Sequence, residues 1–238
     1  MSKQVQDFYE HIADMKIHHK PQYTIVKLLN MTKPFSPDRN EVINSLITQK
    51  TRMLDIGAGE GHLLRTNIDR FRESYGIDIS KKRIDHLQKD SVLKRVKLSV
   101  QNVEEGTTFK NNFFDTITMV AVLEHVFDPH AALDEIHRIL RAGGELILEV
   151  PNIGWLYPRI SLFFGYFPVT STDPGFDGGH LHYFEIHNLV SILKQHEFSI
   201  EKITCSGFFS KWRHIWPSLL GGDLIIRAVK KRVRKEKK

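Results

Sequence analysis

The chain has 238 residues, 41% of them hydrophobic and 26% charged, with a net charge of +6. That length suits one α/β domain with a modest extra segment at each end, and the composition is that of a soluble globular protein. The single cysteine, Cys205, excludes an intrachain disulfide and suits a reducing compartment. No run approaches the ~20 apolar residues of a membrane-spanning helix, and residues 1–20 mix charges where a secretion signal needs an apolar stretch. The expected location is cytoplasmic.

Residues 1–48 read as an N-terminal helical cap, with Val5, Phe8, Ile12 and Met15 at three-to-four spacing. Pro34 and Pro37 interrupt it, and a further helix is expected to begin near Asp38. The main domain, residues 49–229, opens on Met53-Leu54-Asp55-Ile56-Gly57-Ala58-Gly59-Glu60-Gly61, an apolar strand running into Asp-x-Gly-x-Gly-x-Gly. A side chain at such glycines would hold a ligand off the backbone, and the turn can require φ > 0. A helix over Gly61–Asp69 would then point unpaired N–H groups into the gap. Such a turn suits a nucleotide-like ligand. The dinucleotide fingerprint Gly-x-Gly-x-x-Gly would need a glycine at His62, but the third glycine comes one residue early, at Gly61.

A second strand, Ser74–Ser80, carries Asp78, placed to accept hydrogen bonds from ribose hydroxyls. Asn102-Val103-Glu104-Glu105-Gly106 follows a third strand. A fourth, Phe114–Met119, leads into Val122-Leu123-Glu124-His125-Val126. The next helix is expected to close with Leu140–Gly144 before a fifth strand. This alternation predicts a parallel sheet with helices on both faces, and puts Gly57, Asp78, Asn102 and Leu123 at one carboxyl edge.

After Pro151-Asn152, residues 154–183 form an insertion in which Trp155, Tyr157, Phe163, Phe164, Tyr166 and Phe167 alternate with prolines and glycines. It reads as a helical hairpin or lid across the site, or as a surface helix packed on the core. His180 lies in Gly178-Gly179-His180-Leu181-His182-Tyr183-Phe184. A helix over Ile186–His196, a strand over Phe198–Thr204 and a last strand within Asp223–Val229 complete the domain. Cys205, in an alternating stretch, reads as buried and structural. Residues 227–238 hold eight Lys/Arg and one Glu, which leaves the rest of the chain at −1. The tail proper, residues 230–238, reads either as a solvated run or as a contact for anionic lipid or nucleic acid.

These segments, in this order, resemble the class I S-adenosylmethionine-dependent methyltransferases of the type-11/type-23 group. The glycine turn with Asp55 is similar to their first motif, and Leu123-Glu124-His125 to their "LEH" segment. The resemblance covers residues 50–152, with weaker likeness to about residue 205. It implies a Rossmann-like doubly wound α/β sheet, mostly parallel with a late antiparallel strand, bearing N-terminal helices and the aromatic-rich insertion. It also implies S-adenosyl-L-methionine as cofactor. Carried onto this chain, it puts Asp55, Gly57, Ala58, Gly59, Gly61, Ile79, Val103 and Val122 around the cofactor and Asp78 at its ribose. Asn102 falls beside the adenine, where the family commonly has Asp. Tyr9 is a further candidate contact.

His125 and His180 are the catalytic candidates, since imidazole is neutral and basic at cell pH. The segment of His180 is similar to an H-L-x-x-F signature of type-11 enzymes acting on glycan and lipid-like substrates. No metal-ligand spacing occurs, so no metal is expected. The Asn/Asp-Pro-Pro-aromatic segment of base-nitrogen methylation is missing after the fourth strand, and Cys205 is far from the place a carbon-5 pyrimidine enzyme needs its nucleophile. The expected activity is therefore methyl transfer to O, N or C of a small-molecule, sugar or lipid-linked acceptor, with nucleic acid disfavoured and peripheral membrane contact through the basic tail. Two alternatives stand beside it. One is a non-catalytic module of the same fold using the tail for a membrane or nucleic acid; the other is an NAD(P)-dependent oxidoreductase, which the residue at position 62 argues against.

Overall fold

A computed structural model describes residues 39–171, 176–207 and 210–231. Most of the expected N-terminal cap, with Tyr9, and the tail beyond residue 231 lie outside the described residues.

Among the described residues, seven strands form one sheet: β1 (Arg52–Ile56), β2 (Glu73–Asp78), β3 (Lys97–Val100), β4 (Phe114–Val120), β5 (Leu140–Pro151), β6 (Phe198–Ser206) and β7 (Asp223–Lys230). Their order is β3-β2-β1-β4-β5-β7-β6. The first five are parallel, and β7 runs antiparallel between β5 and β6. The order reverses between β1 and β4, which opens a crevice beyond the carboxyl ends of those strands.

Among the described residues, the helices beside the sheet are α1 (Arg39–Leu46), α2 (His62–Asn67), α3 (Lys81–Gln88), α4 (Pro129–Ile139), α5 (Leu156–Phe163) and α6 (Ile186–Gln195). A four-residue helix, α7 (Pro217–Leu220), lies between β6 and β7. Local chemistry sets the starts of the longer ones. Asp128 caps α4 by accepting from His130 N and Ala131 N, with Pro129 at the first helical position. Ser80 caps α3, and Glu185 with Asn188 forms a capping box on α6.

Both faces of the sheet are covered, so β4 is buried from Phe114 to Met119 although Asp115, Thr116 and Thr118 stand among its apolar residues. On one face Leu54, Ile117 and Leu148 pack with Leu133 and Ile136 of α4 and Leu189 of α6. On the other, Met53, Ile147 and Ile225 pack against Val42, Ile43 and Leu46 of α1. Thr116 and Thr118 find partners inside, Thr116 on Glu145 and Thr118 on Asp55.

Three expectations need correction. Helix α2 stops at Asn67, short of Asp69, and α4 ends at Ile139 because Leu140 already belongs to β5. The insertion is no helical hairpin among its described residues. It is one helix, α5, then an extended stretch and a short turn at Phe176–Gly179, where Asp177 takes φ 44° and Gly178 φ 67°. No helix among the described residues is long and apolar enough to cross a membrane.

Candidate active site

The turn between β1 and α2 is built from glycines in three different roles. Gly57 has φ +70°, and a Cβ there would stand 2.2 Å from Val122 Cγ2. Gly61 has φ +73° and would press its Cβ on Leu87 at 2.8 Å. These two are needed for backbone geometry and packing. Gly59, at φ +51°, is different: a Cβ would meet only Gly57 O, at 3.7 Å, and would project into open space. Of the three, Gly59 alone keeps the crevice clear. The predicted sheaf of free N–H groups is not what forms here, because Gly59 N donates to Asp78 Oδ2 (3.0 Å) and Gly61 N to Ala58 O (2.7 Å).

Two adjoining cavities occupy the crevice. The smaller, about 110 Å³, is walled by Ile56, Ile77, Ile79, Val103, Val122 and Val126, with Asp78 and Asn102 at its polar margin. Asn102 Oδ1 caps the turn at Glu104 N, while its Nδ2 is buried without a hydrogen-bond partner. The larger, about 480 Å³, extends past Asp55, Gly59 and Glu60 to Glu124, His180 and Asp223. Gly57, Arg83, Ala121 and His125 line both.

The larger cavity is acidic and partly neutralised by its own burial. Desolvation pushes Asp55 up to about 7, opposed by its hydrogen bond from Thr118 Oγ1 (2.6 Å). Burial likewise raises Glu124 well above the carboxylate range, helped by the charge of Glu149. Both carboxylate oxygens of Glu124 are buried without a hydrogen bond. Glu149 rises to about 8 through burial and the nearby Asp223, against the ion pair with Arg39 at 3.5 Å.

The two histidines converge on Glu124. His125 Nδ1 lies 3.3 Å from Gly179 O, a carbonyl, so Nδ1 carries the proton and Nε2 the lone pair. His180 is buried, with Nδ1 at 2.8 Å from Thr170 Oγ1 and 3.6 Å from Asp177 Oδ2. Thr170 Oγ1 donates to Asp177 Oδ2 (2.6 Å), which makes His180 Nδ1 the donor to Thr170 and leaves the lone pair on Nε2. Each Nε2 lies 4.0 Å from Glu124 Oε1, and the rings are 4.7 Å apart. Among the described residues these three are the ones whose donor atoms, within 4.8 Å of one another, gather closely enough to share a cation.

A family model described as "Methyltransferase domain" matches residues 18–203. The chain belongs to the class I S-adenosylmethionine-dependent methyltransferases. It is 32% identical over 103 residues to the ubiquinone biosynthesis O-methyltransferase of Alkalilimnicola ehrlichii, covering 42% of this chain and 42% of that protein. It is 30% identical over 119 residues to the tRNA 5-carboxymethoxyuridine methyltransferase of Escherichia coli K12, covering 48% and 46%. The chain thus spans less than half the length of these curated relatives. Among solved structures, a SAM-dependent methyltransferase from Thermotoga maritima superposes with a TM-score of 0.65 at 18% identity, over 95% of this chain and 100% of that one. One from Methanosarcina mazei gives 0.60 at 22%, over 82% and 99%. At such identities the likeness is one of fold.

Within this methyltransferase fold, Asp55, Gly57, Ala58, Gly59, Asp78, Ile79, Asn102, Val103, Val122, His125 and His180 all line the two cavities. Gly61 does not; it lies behind the turn, against Leu87 and Leu93. The buried Cys205, on β6, has its thiol pushed up to about 11 by burial and lines neither cavity. Sequence reading missed Arg39, Glu149, Thr170, Asp177 and Asp223. One signal was available: Glu149 is an acid inside the otherwise apolar residues 146–151 of β5.

Glu149 also sets a pH dependence. An acid whose folded pKa is raised stabilises the fold below its unfolded pKa, near 4.5, and that contribution is lost as pH rises through about 8. Glu149→Gln is therefore expected to melt near the wild-type temperature at pH 5 and roughly 10 °C higher at pH 9. Thermal melts across that range check it; an equal shift at both pH values would contradict the assignment.

Proposed function

We propose that this chain moves a methyl group from S-adenosyl-L-methionine to an O, N or C atom of a small-molecule, sugar or lipid-linked acceptor bound beside Glu124, His125 and His180. The observation that carries the reading is the junction of two unlike cavities at Gly57 and His125: one small, apolar and edged by Asp78 and Asn102, the other large, acidic and lined by imidazoles. The residues present fit the cofactor. The apolar cavity with Asn102 suits an adenine, Asp78 suits ribose hydroxyls, and the clear space at Gly59 suits the approach of the amino-acid end past Asp55.

When bound, the cofactor supplies an electrophilic methyl on a positively charged sulfur. What remains for the chain is to align an acceptor, exclude water and take up a proton where the acceptor loses one. His180 suits the uptake of that proton, because it is buried, its Nδ1–H is fixed by Thr170 and Asp177, and its basic Nε2 is turned toward Glu124. His125, at the junction of the cavities, fits acceptor positioning.

Incubating the chain with methyl-labelled cofactor and separated polar and lipid extracts tests the reading; label should enter an acceptor fraction, and none in any fraction would overturn it. With that acceptor, His180→Ala should slow transfer by about 10²–10⁴-fold while S-adenosylhomocysteine binding stays intact. Undiminished transfer would remove His180 from the chemistry.

A further inference from the structure

Helix α5 and the stretch after it turn their apolar side chains outward. Ile160, Leu162, Phe164 and Tyr166 are exposed, Phe163 is 83% exposed, and within the helix only Pro158 is buried. The connection from β6 to β7 adds Trp212, Ile215 and Trp216, also exposed. The two segments share one edge of the sheet. Asn152, just before α5, donates through Nδ2 to Ser218 O (3.3 Å) and Gly221 O (2.8 Å) at the end of that connection. Pro151 and Asp223, where the segments join β5 and β7, pair with each other and line the larger cavity. Both aromatic segments therefore join the sheet at residues that line the candidate active site.

A helix that is apolar around most of its circumference belongs in an apolar surrounding, and a patch of this kind marks an interaction surface. The charges say which. Residues 153–171 contain one Arg and no Asp or Glu, and residues 208–221 contain no acid either. The second segment also holds Lys211 and Arg213, whereas residues 231–238, with six Lys/Arg against one Glu, follow the end of β7 far from Asp223. Exposed Trp, Tyr and Phe joined to basic residues and free of acids match the headgroup zone of an anionic bilayer, where aromatic rings sit at the interface and cations meet lipid phosphate.

We propose that the chain docks peripherally on an anionic lipid bilayer through the outward face of α5, its following stretch and Trp212–Trp216, with the mouth of the larger cavity opening at the membrane. One consequence, that the acceptor reaches His180 from the lipid phase, rests on the methyltransferase reading; the docking itself does not.

The test is co-sedimentation of the full chain with vesicles of phosphatidylglycerol and phosphatidylcholine, beside pure phosphatidylcholine. The wild type should sediment with the anionic vesicles. Phe163→Ser/Phe164→Ser/Tyr166→Ser should bind them ~10-fold or more weakly at every salt concentration. Arg159→Gln/Lys211→Gln should lose affinity at low salt and match the wild type at high salt. The thermal shift caused by S-adenosylhomocysteine should be the same in all three proteins. Should the triple variant melt early, Phe163→Ser alone, at the most exposed ring, repeats the measurement. Wild-type vesicle binding by these aromatic variants overturns the proposal, as does a wild type left in the supernatant with both vesicles, a result that would favour a protein partner. A wild type that docks but shows no S-adenosylhomocysteine shift would sink the methyltransferase reading and leave the docking standing.

Discussion

Asp78→Ala is expected to weaken S-adenosylhomocysteine binding by about 10²–10³-fold, since hydrogen bonds to a carboxylate are worth ~1.5–3 kcal/mol each and a ribose offers two hydroxyls. The residue has a second role that enlarges the effect. Its Oδ2 accepts from Gly59 N at 3.0 Å and its Oδ1 from Ser80 N at 2.9 Å, so the same carboxylate ties the glycine turn to the start of α3. Alanine removes the anchor on both sides, leaving a buried N–H at Ser80 and a looser turn at Gly59. The melting temperature should fall along with the affinity. Asp78→Asn, which keeps one acceptor oxygen, should lie between the two. Calorimetric titration of the three proteins decides it, and an alanine variant within threefold of wild-type affinity would show that the ribose lies elsewhere.

Glu145→Gln should be the most destabilising of the isosteric changes, by about 3 kcal/mol, which for a chain of this size lowers Tm by roughly 6–12 °C. Glu145 is fully buried near the start of β5, and every group around it is a donor. Oε1 accepts from Thr48 N, Gln49 N and Thr116 Oγ1, and Oε2 from Thr48 Oγ1 and Arg227 Nε at 2.8 Å. Burial alone would favour its neutral form, but these bonds, from Gln49, Arg227 and Thr48, hold its carboxyl below the ordinary range. A glutamine amide would turn two N–H groups toward donors and leave the Arg227 guanidinium without its counter-charge. The sign with pH is opposite to that of Glu149: a lowered pKa gives stability that is present above the unfolded value and lost as pH falls through the folded one. The melting temperatures of the wild type and the Glu145→Gln variant should therefore converge in acid. A Glu145→Gln chain as stable as wild type at pH 7 would remove this cluster from the account.

The strands and the switch point were legible because they rest on local, repeated signals. Apolar runs of four to seven residues end in glycine or acid at Gly57 and Asp78, and the helices between them are long enough only for parallel crossovers. The catalytic side of the crevice was legible only in part. His125 and His180 stand 55 positions apart, and nothing in either segment reveals that both Nε2 atoms meet Glu124; that depends on Leu181 N and His182 N bonding Glu124 O across the cavity floor. Arg39, Glu149 and Asp223 come from three separate elements, so their cluster is a product of sheet order rather than spacing. The glycine turn taught a finer lesson. Its three glycines look equivalent in the motif, yet Gly57 and Gly61 serve packing, and only Gly59 leaves room for a ligand.

That difference provides the most direct measurement. S-adenosylhomocysteine titrated into wild type and Gly59→Val, each checked for a cooperative melt, should show saturable one-to-one binding in the first and none in the second. A folded Gly59→Val protein that binds like wild type, or a wild type that takes up no S-adenosylhomocysteine at all, would contradict the placement of the cofactor in this crevice.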